Sequence, residues 1–141
     1  MLAMARCWLA ASLLASASAL AAHAQAGVVE RQVKAAPGHD VRFGIYGDIR
    51  PDCTSGPLPA IKLVAAPAHG TVTVKRGTLK ATNFKQCLAT ELPVLVGFYR
   101  SAADFNGSDE FELEISFPAG RKEIQRIRVS VTDNPASGQG I

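Results

Sequence analysis

From Glu110 to Phe117 the chain alternates without a break. Phe111, Leu113, Ile115 and Phe117 fall on one side, and Glu110, Glu112, Glu114 and Ser116 on the other. A strand repeats every two residues, so this segment predicts a half-buried β-strand with one apolar and one charged face. The same period recurs along the chain. Val28–Ala35 predicts a first strand at a sheet edge. Asp40–Tyr46 places Val41, Phe43 and Ile45 inward and Arg42, Gly44 and Tyr46 outward. Ile61–Ala65 is a short strand stopped by Pro67. Gly70–Val74 and Thr78–Thr82 flank Lys75-Arg76-Gly77, which reads as a hairpin turn. Pro93–Ser101 sets Val94, Val96 and Phe98 against Leu95, Gly97 and Tyr99, with Tyr99 on the outward phase. Glu123–Thr132 puts Ile127, Val129 and Val131 inward and Arg126, Arg128 and Ser130 outward.

Breaks separate these runs: Ala36-Pro37-Gly38, the proline-rich stretch Gly47–Pro59, the polar Asn83–Glu91, Asp104–Gly107 and Pro118-Ala119-Gly120. No window after Ala26 carries a helical period. Seven or eight short strands with regular turn signals predict an all-β fold: an antiparallel Ig-like β-sandwich with Greek-key connections, one domain over residues 27–133. Residues 134–141, rich in Asn, Pro, Ser and Gly, read as a flexible tail. The last two strands predict a hairpin in which Glu112 and Glu114 lie opposite Arg126 and Arg128. Such cross-strand pairs add about 0.2–1 kcal/mol each. The same charges also fit a ligand-binding stripe.

The start of the chain has a different pattern. Arg6 precedes an uncharged run from Cys7 to Ala22, and two A-x-A sites follow, Ala22-His23-Ala24 and Ala24-Gln25-Ala26. This is the three-part pattern of a secretory signal peptide, residues 1–26, cleaved after Ala24 or Ala26. A membrane anchor is the alternative, but the run falls short of the roughly 20 apolar residues a span needs. No later apolar run could span a bilayer. The expected product is therefore periplasmic or secreted, with no membrane span in the mature chain.

Export changes the meaning of the cysteines. Of three, Cys7 leaves with the leader and Cys53 and Cys87 remain. An even pair in an exported chain is most simply a disulfide. The two are far from a C-x-x-C spacing and have no His nearby, which argues against a metal or redox pair. Charge adds little: loss of Arg6 leaves 14 Lys+Arg against 12 Asp+Glu, a net charge of +2. The cations are scattered and not interleaved with aromatics, so nucleic acid is not an expected partner.

Two segments carry a family resemblance. Pro67-Ala68-His69-Gly70-Thr71-Val72-Thr73-Val74 is similar to a P-x-x-G-T-V-x-V segment. Tyr99–Phe111 is similar to Y-x-P-x-x-x-F-x-G-x-D-x-F, with Ser101 where Pro is usual, and a final strand in V-x-V follows. Over about residues 61–133 the chain thus resembles bacterial Ig-like and cadherin-like domains, which occur in tandem in large surface proteins. The resemblance implies a binding or structural role in the cell envelope, with an envelope or extracellular protein as partner. In such a loop Gly107 can take a positive φ, Asp109 can accept backbone N–H bonds, and Phe105 and Phe111 can pin the loop to the core.

Chemistry is harder to find. Asp104, Asn106, Asp109 and Glu110 are oxygen donors within seven residues, a composition that suits calcium. Their spacing is not that of an EF-hand, and loop capping explains them as well, so no cofactor is expected. His39 and His69 are too few for a zinc site. There is no G-x-S-x-G nucleophile elbow, and a sandwich of this size has little room for a glycosidase cleft between paired carboxylates. The chain is not expected to be an enzyme. A second class remains open: a small-ligand or carbohydrate binder using Tyr46, Tyr99 and the 104–110 loop. With Trp8 lost, the mature chain has no tryptophan for a sugar platform.

Overall fold

The alternating runs become strands, and their apolar sides meet. The computed structural model describes residues 27–81, 87–88 and 90–133; the predicted leader (1–26) and tail (134–141) lie outside the described residues. Among the described residues there are seven strands and no α-helix: β1 (Gly27–Ala35), β2 (Asp40–Tyr46), β3 (Ala60–Ala65), β4 (Gly70–Lys80), β5 (Glu91–Ser101), β6 (Gly107–Ser116) and β7 (Lys122–Val131). They form a four-stranded sheet in the order β1-β7-β6-β3 and a three-stranded sheet in the order β2-β5-β4. All pairings are antiparallel except β1 with β7, which run parallel over nine registered positions. The protein is a β-sandwich.

The inward residues of both sheets build one core. Phe111, Leu113 and Ile115 from β6 and Ile127, Val129 and Val131 from β7 meet Phe43, Tyr46 and Tyr99 from the opposite sheet. Phe43 packs edge-on against Phe111, with ring centroids 5.0 Å apart. A bare backbone makes room for it. Gly97 sits on the inner face of β5, and a Cβ there would run into the Phe43 ring.

A smaller cluster of Ala81, Cys87 and Leu92 lies apart, with Ile49 and Cys53 packed against it. Leu92 shares its phase with Val94, Val96 and Phe98, on the β5 face turned away from the main core. Cys53 and Cys87 therefore lie at one end of that outer face, joined by a disulfide with a Cα–Cα separation of 5.2 Å. A disulfide fits an oxidising, extracytoplasmic setting. Among the described residues, no helix is long and apolar enough to cross a membrane.

The turns follow their chemistry. Gly38 (φ 71°) and Gly120 (φ 90°) take positive φ in the two short turns, where His39 N–H donates to Ala36 O and Gly120 N–H to Phe117 O. Gly107 also takes positive φ, 141°, as it enters β6.

Three expectations are corrected. Lys75-Arg76-Gly77 is not a turn. β4 runs straight through it, paired with β5 at all eleven of its positions. Tyr46 does not point outward: the β2–β5 register slips between Arg42 and Gly44. One extra residue reverses the alternation beyond it, so Phe43 and Tyr46 both reach the core while Ile45 moves towards the outside. Tyr99 is fully buried as well. The faces of β5 are divided as expected, but both are apolar, and the Leu95/Gly97/Tyr99 side is the one that meets the other sheet.

Candidate functional site

The polar side chains that survive inside this core are the first place to look for chemistry. Three described residues qualify: Ser101, Asp109 and Gln125. Asp109 occupies the inward phase of β6, in line with Phe111, Leu113 and Ile115. Its Oδ2 accepts from the Tyr99 hydroxyl at 2.7 Å and from the His69 N–H at 3.0 Å. Its Oδ1 accepts from the Ala68 N–H and its neighbour's Glu110 N–H, both at 3.0 Å. Burial opposes the charge of this carboxylate. The hydrogen bonds from Tyr99, His69, Ala68 and Glu110 outweigh it and hold the Asp109 pKa below its ordinary value. The carboxylate thus joins β6 to β5 of the other sheet and anchors the Ala66–His69 connection. Two of its four donors lie in that connection and none in the 104–107 loop, where the sequence places them.

A second tie stands elsewhere in the core. The Tyr46 hydroxyl donates to Gln125 Oε1 at 2.7 Å, and Gln125 Nε2 donates to Glu123 Oε1 at 2.6 Å. This again links one sheet to the other, β2 to β7. Ser101 closes a third contact: its Oγ accepts from the Gly38 N–H at 3.2 Å. Among the described residues, no buried side-chain nitrogen or oxygen lacks a hydrogen-bond partner. These groups are structural cross-links with their bonding capacity in use.

Both of the chain's two tyrosines belong to these ties. Burial pushes the Tyr46 hydroxyl up to about 12, against the opposing charge of Arg31. Burial and then the bond to ionised Asp109 push Tyr99 higher still. A raised folded-state pKa means stability is complete below the unfolded value near 10 and is lost as pH climbs through the folded one. Phenolate absorbance should therefore stay flat past pH 10 in the native protein and rise together with unfolding. A normal titration near pH 10 with the fold intact would contradict both ties.

The remaining sequence candidates do not converge. Asp104 and Asn106 are exposed in the loop before β6. Asp109 and Glu110 are adjacent on a strand and so face opposite ways. Glu110 points outward and accepts from Arg128 Nε at 2.8 Å. Phe105 packs on the core margin and stacks on the His69 imidazole, centroids 4.1 Å apart. Among the described residues, no group of three or more His, Cys, Asp or Glu side chains is placed to hold a metal ion.

The charged outer face of the larger sheet is a continuous lattice. Arg126 bridges Glu112 at 2.7 Å and Glu30 at 3.3 Å; Arg128 bridges Glu110 at 2.8 Å and Glu30 at 3.5 Å. The expected opposite-charge hairpin is present, but shifted: Arg128 pairs Glu110, while Glu114 meets Lys122 at 3.5 Å. Sequence reading missed Glu30, which lies almost a hundred residues away and enters through the parallel β1–β7 pairing. Beside this lattice lies a shallow depression of about 680 Å³, lined by Lys34, His69, Ser108, Glu110, Arg128 and Ser130.

One further feature concerns the backbone. β4 is the last strand of its sheet, with β5 on one side and no strand on the other among the described residues. Nearly every side chain along it is exposed.

No family model and no curated protein matches this chain. Among solved structures it is similar to the solution structure of amebosin, at 10% identity and a TM-score of 0.40, covering 77% of this chain and 99% of that one. The β-sandwich assignment rests on the strand pairing described above.

Proposed function

We infer that the protein is an exported, non-enzymatic Ig-like module that binds another protein of the periplasm or the extracellular space. The observation that carries this reading is the edge of β4 that no other described strand covers, eleven residues of regular strand backbone. In an antiparallel ladder alternate residues turn their N–H and C=O groups away from the existing partner, here about half of β4, and these form a template for a further strand. The buried polar side chains among the described residues, Ser101, Asp109 and Gln125, are engaged in hydrogen bonds that hold the fold together. The strand order supports the Ig-like reading: β2-β5-β4 and β7-β6-β3 correspond to the B-E-D and G-F-C arrangements of that architecture, with β1 added beside β7. The alternative, a carbohydrate binder built on exposed tyrosines, loses its platform, since both rings are inside.

In-cell photo-crosslinking tests the module reading. A photoreactive residue at Thr73 or Lys75 should yield a discrete protein adduct, while one at Glu112, on the opposite sheet, should not. If no β4 position gives an adduct, the module reading fails.

A further inference from the structure

We propose that the edge of β4, which no other described strand covers, is completed by an extended, acidic segment of a partner protein, added as a fourth strand to the β2-β5-β4 sheet. The proposal rests on the interaction-module reading and specifies the chemistry of the occupant.

The edges of this sandwich differ in kind. β2 is broken by the bulge between Arg42 and Gly44. β3 has six residues and its own irregularity between Leu63 and Ala65. β1 carries mixed charges, and its Glu30 is engaged by Arg126 and Arg128. Short strands and bulges are usual means of keeping an edge from pairing, and an edge charge of one sign, as on β4, turns away like-charged strands. β4 has no bulge and, at about 3.3 Å per residue, offers a straight ladder of roughly 36 Å.

Charge then selects the occupant. β4 carries Lys75, Arg76 and Lys80, and no Asp or Glu lies between Gly70 and Lys80. Lys75 is held beside the sheet, its Nζ 5.6 Å from the centroid of the Phe98 ring. Directly opposed like charges destabilise a strand pair, so two copies meeting edge to edge through β4 would set cation near cation. A strand with carboxylates opposite Lys75 and Arg76 gains where a second copy loses. Val74 and Leu79, both 37% exposed, add apolar contacts on either side of the cations. The occupant is therefore an extended segment with Glu or Asp across from Lys75, Arg76 and Lys80, and apolar or β-branched residues across from Val74 and Leu79.

Binding of three synthetic strand peptides to the disulfide-intact protein, read by fluorescence anisotropy, tests this. The three share a Val/Thr framework and differ only in carrying Glu, Gln or Lys at the variable positions. The Glu peptide should bind about tenfold more tightly than the Gln peptide, and the Lys peptide more weakly than either. N-methylation of alternate amides along one edge of the Glu peptide should abolish binding, because the ladder needs those donors. The K75E/R76E/K80E variant, all exposed positions, should reverse the order of Glu and Lys peptides. Equal affinity for all three peptides overturns the charge assignment while leaving the module reading in place. Full binding of the N-methylated peptide overturns strand addition. Concentration-dependent dimers in sedimentation that the triple variant abolishes would give the edge to a second copy and overturn the acidic partner. Failure of all peptides alongside β4 photo-adducts overturns this proposal alone; absence of those adducts overturns the reading beneath it.

Discussion

Replacing Asp109 by Ala should cost the protein about 3–5 kcal/mol of stability, the largest loss expected from any single polar side chain in the core. Four donors converge on its carboxylate, and one of them, the Tyr99 hydroxyl, is wholly enclosed. Alanine leaves that hydroxyl without an acceptor and releases the Ala68 and His69 amides that hold the β3–β4 connection. Total stability for a domain of this size is about 5–15 kcal/mol, so much of it would go. Tyr99→Phe removes one bond while keeping the ring against Phe111, and should cost only about 1–2 kcal/mol. Acid should reproduce part of the Asp109→Ala effect. With the folded pKa held below 3.8, the contribution is complete above about pH 5 and drains as pH falls through the folded value. Urea denaturation of the wild type and both variants at pH 7 and at about pH 2.5 reads all of this. A loss under about 1 kcal/mol for Asp109→Ala would mean that the four bonds count for little.

The second large effect should come from the disulfide. Cys53 and Cys87 are 34 residues apart, and closing a loop of that length restricts the unfolded chain enough to give about 3–4 kcal/mol in the chain-entropy treatment. Two further consequences follow from where the bond sits. It ties Cys53, in the loop after β2, to Cys87, and Cys53 packs with Ile49 against the Ala81–Cys87–Leu92 cluster. The Cys53 backbone is also held at φ 66°, a conformation that costs a non-glycine residue about 1–3 kcal/mol and needs support from its surroundings. Paired Cys53→Ser/Cys87→Ser substitution should therefore lower the unfolding free energy by about 3–4 kcal/mol while leaving the far-UV β signature largely intact, since the main core does not include either cysteine. An unchanged urea midpoint would show the bridge to be dispensable. Loss of all β structure would show the two clusters to be one cooperative unit.

These two features differ in how openly the sequence displays them. The cysteine pair is legible from the count and the export that the leader pattern leads one to expect. Asp109 was partly visible: it shares the phase of Phe111, Leu113 and Ile115, and a polar residue at an inward position of a strongly alternating strand announces a buried bond. Gln125 sits in the same relation to Ile127 and Val129. What could not be read was the donor, because Ala68 and His69 lie forty residues before Asp109 and only the fold brings them near. β6 from Glu110 onward and most of β7 are legible, since one face is charged and the other apolar, but the start of β6 at Gly107 reads as loop. β5 is not legible in this way, because Val94, Val96 and Phe98 compete with Leu95 and Tyr99 for the interior. In β2 a single bulged residue reversed the parity that had put Tyr46 outside. In β4, Lys75-Arg76-Gly77 has the composition of a turn, yet pairing with Val94–Val96 of β5 keeps it extended; partner strands override local preference at an edge.

The parallel pairing of β1 with β7 bears on mechanics. Tension applied at the start of β1 and beyond the end of β7 would pull these two neighbours in opposite senses along their common axis, loading nine registered pairs together as a shear joint instead of peeling them one by one. The Glu30 clamp on Arg126 and Arg128 lies across the same joint. A single-molecule pulling trace with one high rupture peak, lowered when Glu30→Gln loosens the clamp, is the expected record of a domain that can hold load between its two ends.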